Sequence, residues 1–146
     1  GGSMNKFSWK LGGIYYYYPG AAGNLNYDFW EAAAVFGYDF GVVQTNLALN
    51  YSPNYFTDSG SAFYTSLNAT APLPHDFRID AHVGRQVVDD NAAFGYKDYN
   101  DWSLGVGYKI SGFDISVKYT ATDLSEPSEC ADGCGHRAVL AISRAF

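Results

Sequence analysis

Three chemistry-bearing side chains recur at every second position in the stretch "FRIDAHVGRQ": Arg78, Asp80 and His82. That spacing puts all three on one face of an extended strand, because successive side chains of a strand point to opposite sides. Asp101, Lys109, Asp114 and Lys118 occupy the polar positions of two later segments with the same alternation. Charges of both signs on one sheet face have two readings. In a wide, wet lumen they form a constriction that sorts solutes by sign and size. In a narrow lumen they pair off and fill the space as a rigid network. A complete eight-stranded barrel favours the network, and a larger barrel favours the constriction.

Other candidate chemistries are thinner. His82 and Ser103 would share a face, as a hydrolase requires, but no G-x-S-x-G or H-E-x-x-H accompanies them. The expectation is no enzyme and no cofactor. The segment "VVDDNAAFGYKDYNDW" gathers Asp89, Asp90, Asn91, Asp98, Asn100 and Asp101. Such oxygens hold Ca²⁺ or bridge divalent ions to lipopolysaccharide phosphates, yet the EF-hand spacing is missing and a solvated loop is the plainer reading. Cys130 and Cys134 in "SECADGCG" fit a small disulfide loop in an oxidising compartment. A zinc site needs two more ligands, and only His136 is near. Asn68-Ala69-Thr70 matches a glycosylation sequon but falls within a strand.

The elements that must position these residues are strands. Residues 42–51 set Val43, Thr45, Leu47, Leu49 and Tyr51 against Gln44, Asn46, Ala48 and Asn50. The same period of two runs through 62–71, 77–87, 101–110, 113–122 and 136–146. Two earlier strands, 5–18 and 26–40, alternate less cleanly, which makes about eight strands in one domain spanning 1–146. Long connections alternate with short ones: "PGAAGNLN", "SPNYFTDSGS", "VDDNAAFGYKDYN" and "DLSEPSECADGCG" against Gly41, "PLPHD" and "ISG". An antiparallel up-and-down barrel of an outer membrane has this asymmetry, with long loops outside and short periplasmic turns.

Alternation alone does not tell a soluble barrel from a membrane barrel, which turns its apolar face to lipid. The character of the polar face decides. Charged residues are only 16% of the chain and aromatics 18%. The polar face carries Gly, Ser, Thr, Asn and Tyr rather than the Lys and Glu typical of solvated strands. On the apolar face, Trp9, Tyr15, Tyr17, Tyr51, Trp102, Tyr108, Tyr119 and Phe146 stand near strand ends, as in the aromatic girdles at headgroup level. In "GGIYYYYPG", Tyr15 and Tyr17 continue this outward face, and Tyr16 and Tyr18 fill the lumen mouth. The net charge of −6 and the lack of a basic stripe exclude a nucleic-acid partner.

The segments "GGIYYYYPG", "LNYSPNYF", "AHVGRQVVDD", "YNDWSLGVGY" and "GFDISVKYTATD", in this order, resemble the TorF-type porin family over nearly the whole chain. The family comprises small proteobacterial outer-membrane proteins of unknown function. The terminal phenylalanine resembles the C-terminal signature of such barrels, with Arg144 interrupting its apolar row. The resemblance implies a β-barrel in the bacterial outer membrane, a pore, no enzymatic activity and no cofactor. It also implies a signal peptide and about four upstream strands, so that this chain is the C-terminal part of a barrel of about twelve.

The leading expectation is therefore a channel for passive diffusion of small polar solutes, in contact with outer-membrane lipid and lipopolysaccharide. The alternatives are a non-conducting structural protein whose loops or free edge bind a protein partner, and a soluble lipocalin-like ligand-binding barrel.

Overall fold

The computed structural model describes residues 1–90, 97–126, 128–130 and 132–144. Among these residues nine strands follow one another: β1 (Gly2–Met4), β2 (Phe7–Tyr16), β3 (Phe29–Asp39), β4 (Gln44–Ser52), β5 (Ala62–Pro72), β6 (Phe77–Val88), β7 (Tyr99–Ile110), β8 (Phe113–Thr122) and β9 (Arg137–Arg144). Each pairs antiparallel with the next in a single up-and-down sheet, and among the described residues β1 and β9 are its open edges. The other regular elements described are two short 3₁₀ turns, Gly23–Leu25 and Phe56–Asp58. No described helix is long and apolar enough to cross a membrane, which says nothing about crossing by strands.

The strand expected over 5–18 is present as β2, shortened to Phe7–Tyr16, and a short strand not expected from the sequence, β1, precedes it and pairs with it as a hairpin. Asn5 takes the left-handed conformation (φ 54°), and Met4 pairs with Phe7 across it. Asparagine tolerates this conformation with little strain, so a tight turn forms without glycine. This adds the ninth strand. At the far end β2 stops at Tyr16, so Tyr17 and Tyr18 belong to the following loop rather than to the strand.

Connections at one end are short: 5–6, 40–43, 73–76 and 111–112. In the last, Ser111 (φ 51°) and Gly112 (φ 80°) form the two-residue left-handed turn that matches strand twist. At the other end, called upper below, the connections 17–28, 53–61, 89–98 and 123–136 are long.

The two faces differ sharply in both chemistry and exposure. On β6, Arg78, Asp80, His82, Gly84 and Gln86 form the more buried face, and Phe77, Ile79, Ala81, Val83 and Val87 the exposed one. Val83 is 56% exposed while Gln86 is 8% exposed. Among the described residues, side chains two strands apart meet over the polar face, through Tyr64–Asp101 and Arg78–Asp114, so that face is the concave one. The sheet is inside-out relative to a protein with an apolar core. Among the described residues few are buried, and the polar Ser52, Ser59, Ser66 and Gln86 are among them.

Candidate functional site

The seven charged residues expected on one face all lie on the concave face, at positions fixed by the register. Five of them form two clusters rather than one ring, and Lys109 and Lys118 stand outside both. In the lower cluster Arg78 donates through Nη1 and Nη2 to the two oxygens of Asp114, at 2.6 and 2.8 Å. Its Nε donates to Asp80 at 2.8 Å, and the Thr70 hydroxyl donates to the other Asp80 oxygen at 2.8 Å. Arg78 thus neutralises two carboxylates on either side of it. Lys109 is the cross-strand partner of Asp114, while Lys118 lies opposite Gly105 on an exposed part of the wall. Neither lysine makes an ion pair with a described residue.

The upper cluster is centred on His82. Its Nε2 lies 2.6 Å from Asp101 and its Nδ1 lies 2.8 Å from the Asn68 side-chain oxygen. Tyr64 donates its hydroxyl to Asp101 at 3.0 Å and stands 3.2 Å from His82 Nε2. Ser103 is the direct cross-strand partner of His82, as a shared face requires. Both imidazole nitrogens are engaged by Asp101 and Asn68.

Both clusters depend on glycines that the alternation placed on the polar face without assigning them a role. Arg78 reaches Asp114 across Gly107 of the intervening strand, and Tyr64 reaches Asp101 across Gly84. A Cβ at Gly107 would collide with the guanidinium, and one at Gly84 with both the Tyr64 hydroxyl and Asp101. The absent side chain is what lets a polar bridge lie flat against the wall.

Higher on the concave face a polar cavity is lined by Tyr16, Glu31, Asn50, Tyr64, Gln86 and Tyr99. Glu31 accepts hydrogen bonds from the Tyr16 hydroxyl (3.3 Å) and from Asn50 (3.2 Å). Glu31 was not singled out from sequence because its neighbours in "DFWEAAAVF" hide the alternation. Tyr64, Asn68 and Thr70 were legible as polar-face positions but carried no charge to draw attention.

An aromatic cluster lies above this cavity. Tyr16 stacks on Phe29 (4.5 Å), Tyr55 meets Phe29 edge-on (4.8 Å), and Phe56 stacks on Tyr27 (4.6 Å) and tilts against Tyr18 (5.5 Å). The Thr57 amide donates to the Asn26 carbonyl, tying the two loops together. Burial pushes the Tyr55 phenol up to about 12. Tyr16 therefore faces the concave side as expected, whereas Tyr18 packs within the loops that cover it.

On the convex face the aromatic side chains form two belts. Tyr15, Trp30, Tyr51, Phe63, Trp102 and Tyr119 lie toward the upper ends of their strands, and Phe7, Trp9, Phe36, Tyr38, Phe77, Tyr108 and Phe113 toward the lower ends. Leu11, Ala34, Leu47, Leu67, Ala81, Leu104, Val117 and Leu140 lie between them. Trp9, Tyr15, Tyr51, Trp102, Tyr108 and Tyr119 thus fall in the belts as read from sequence. Tyr17 is exposed in the loop, and Phe146 lies outside the described residues.

The acidic loop residues do not converge. Asp89 accepts from Ser61 (2.6 Å), Asp98 from the Val88 amide (3.0 Å), Asn100 donates to Asp123 (2.6 Å), and Asp101 belongs to the His82 cluster. Asp90 instead packs beside Gly60, and Asn91 lies outside the described residues. Cys130 and Cys134 are joined in a disulfide. Glu126 accepts from the Gly133 and Gly135 amides at 2.9 Å, and those bonds hold its carboxyl below the usual range. His136 pairs with the Tyr119 hydroxyl rather than with the cysteines. The sequon Asn68–Thr70 lies within β5.

No curated protein and no solved structure matches the chain. A family model does match, over residues 2–146, and the chain belongs to that family: Bacterial protein of unknown function (Gcw_chp).

Proposed function

We propose that the protein is a wall of a bacterial outer-membrane β-barrel that conducts small polar solutes, as the TorF-type motifs of its sequence imply. One observation carries this reading: the exposed convex face is apolar and banded, and the concave face is polar. So large an exposed apolar surface is unstable in water but suits hydrocarbon. Strands β2 to β8 are 9–12 residues long, matching the ~9–11 that a tilted strand needs to span a bilayer. The two aromatic belts then sit at the two interfaces, and the long loops lie on one side.

A spanning sheet must pair its edges, since unpaired amides in hydrocarbon cost several kcal/mol, of order 2–7 each. The free edges of β1–β2 and β9 therefore close in the membrane, directly or through further strands. With either closure the Arg78–Asp80–Asp114 and His82–Asp101 clusters project into the lumen. Planar-bilayer recording of the purified protein tests the channel. Discrete conductance steps are expected; a bilayer-inserted protein without conductance contradicts it.

The paired state of these charges and the aromatic cover at the upper mouth favour a second reading, a non-conducting barrel. In that case deleting the 53–61 loop opens conductance that the intact protein lacks.

A further inference from the structure

On the convex face of the described strands only two side chains are charged, Arg85 and Arg144. Arg144, at the lower end, lies over the Phe113 ring at 4.9 Å. Arg85 is different. It stands in the upper half of β6 between Val83 and Val87, in register with Thr65 on one side and Asn100 on the other. Three adjacent outward positions thus carry hydrogen-bonding groups, in a surface whose other side chains are, apart from Thr45 and Arg144, aliphatic and aromatic.

The row is set into a groove running over four strands, walled by Leu47, Phe63, Leu67, Val83, Val87 and Trp102. Asn100 accepts from Arg85 Nη1 at 3.1 Å and is itself held by Asp123 at 2.6 Å, so the guanidinium is oriented. Asp98 forms a loose ion pair with Nη2 at 3.9 Å, beyond hydrogen-bond length, and the Arg85 side chain remains 55% exposed. A guanidinium carries five donors in a planar fork that fits phosphate oxygens, and only one is used here in a direct hydrogen bond. The level matters too: Trp102 and Phe63 of the upper belt flank Arg85 diagonally. If the belt lies at headgroup depth, Arg85 is at the depth of lipid phosphate and the groove is at the depth of the first acyl carbons.

We infer that the Thr65–Arg85–Asn100 row and the groove below it bind one lipid bearing a phosphate group, the phosphate on Arg85 and an acyl chain along Val83, Leu67 and Leu47. This rests on the membrane reading above. The partner is a lipid rather than free phosphate because the walls around the cation are apolar.

The test is native mass spectrometry of the protein released from vesicles of phosphatidylcholine containing a minor fraction of phosphatidylglycerol. Wild type is expected to retain phosphatidylglycerol, with retention falling about tenfold in Arg85→Gln, partly restored in Arg85→Lys and unchanged in Arg144→Gln. Circular dichroism establishes that each variant keeps its strands. Equal retention by wild type and Arg85→Gln, or equal loss in Arg144→Gln, overturns the site while leaving the membrane reading intact. Failure of the wild type to float with vesicles overturns both.

Discussion

Arg78 and Asp114 stand two strands apart, and their bidentate bridge passes over the bare backbone of Gly107. Tyr64 and Asp101 repeat the arrangement one strand earlier, over Gly84. A bridge that skips a strand shortens the concave side of the sheet and fixes its curvature, so these contacts shape the wall as well as fill it.

Substituting Gly107 by alanine should therefore displace the guanidinium and loosen the wall. Overpacking of this kind costs about 1–3 kcal/mol. Urea unfolding in detergent should show a lowered midpoint for Gly107→Ala. Gly12, where an added Cβ meets no atom, supplies the control with little change. Equal effects at the two glycines would contradict the crossing role.

Removing one partner of the lower cluster leaves charge behind. Asp114→Asn should lower stability, because it removes the charge from one side of the bidentate bridge. Arg78→Gln should cost more, because it leaves both Asp80 and Asp114 without their cation. The double variant should cost less than the sum, since the two sites share one interaction. A double-mutant cycle on unfolding free energies reads the coupling directly, and additive values would contradict it.

The 123–136 loop should be sensitive to acid. Amides of Gly135 and Gly133 lower the Glu126 carboxyl, hydrogen bonds from the Asn100 amides lower that of Asp123, and Lys97 and the Ser125 amide lower that of Glu129. A carboxyl with a lowered folded value contributes its stabilisation above the unfolded value, and that contribution is lost as pH falls through the folded one. Loop order should hold at neutral pH and decay below about pH 4. Amide exchange at Gly133 and Gly135 checks this; Glu126→Gln should weaken protection already at pH 7.

Opening the Cys130–Cys134 disulfide should act on the same loop and spare the sheet. The closed ring is small, so chain entropy puts its contribution at about 2 kcal/mol. Cys130→Ser with Cys134→Ser should raise proteolysis within the loop and leave the β-sheet circular dichroism unchanged. Loss of the sheet signal would contradict a local role.

Much of this wall was legible because period-two alternation is strong where both faces are chemically distinct, as in β6 and β7. It faltered at the start. Asn5-Lys6 turns without glycine or proline, so the short β1 before it went unread, and the tyrosine run gave no sign of ending at Tyr16. Belt aromatics such as Trp30 and Phe36 were obscured by the alanines around them. The charged positions were found, but their division into two clusters was not. Which charge pairs with which depends on register across strands, and a single sequence does not fix register between distant segments. The bridging role of Gly84 and Gly107, themselves legible as polar-face positions, was hidden for the same reason: it exists only between the strands on either side.

All three tryptophans, Trp9, Trp30 and Trp102, lie on the convex face, two toward its upper belt and one toward its lower. Their fluorescence therefore reports where that face resides. In vesicles of lipids brominated on the upper acyl chain, the emission should be strongly quenched, and aqueous iodide should have little access. Emission quenched by iodide but indifferent to brominated lipid would contradict the inside-out sheet.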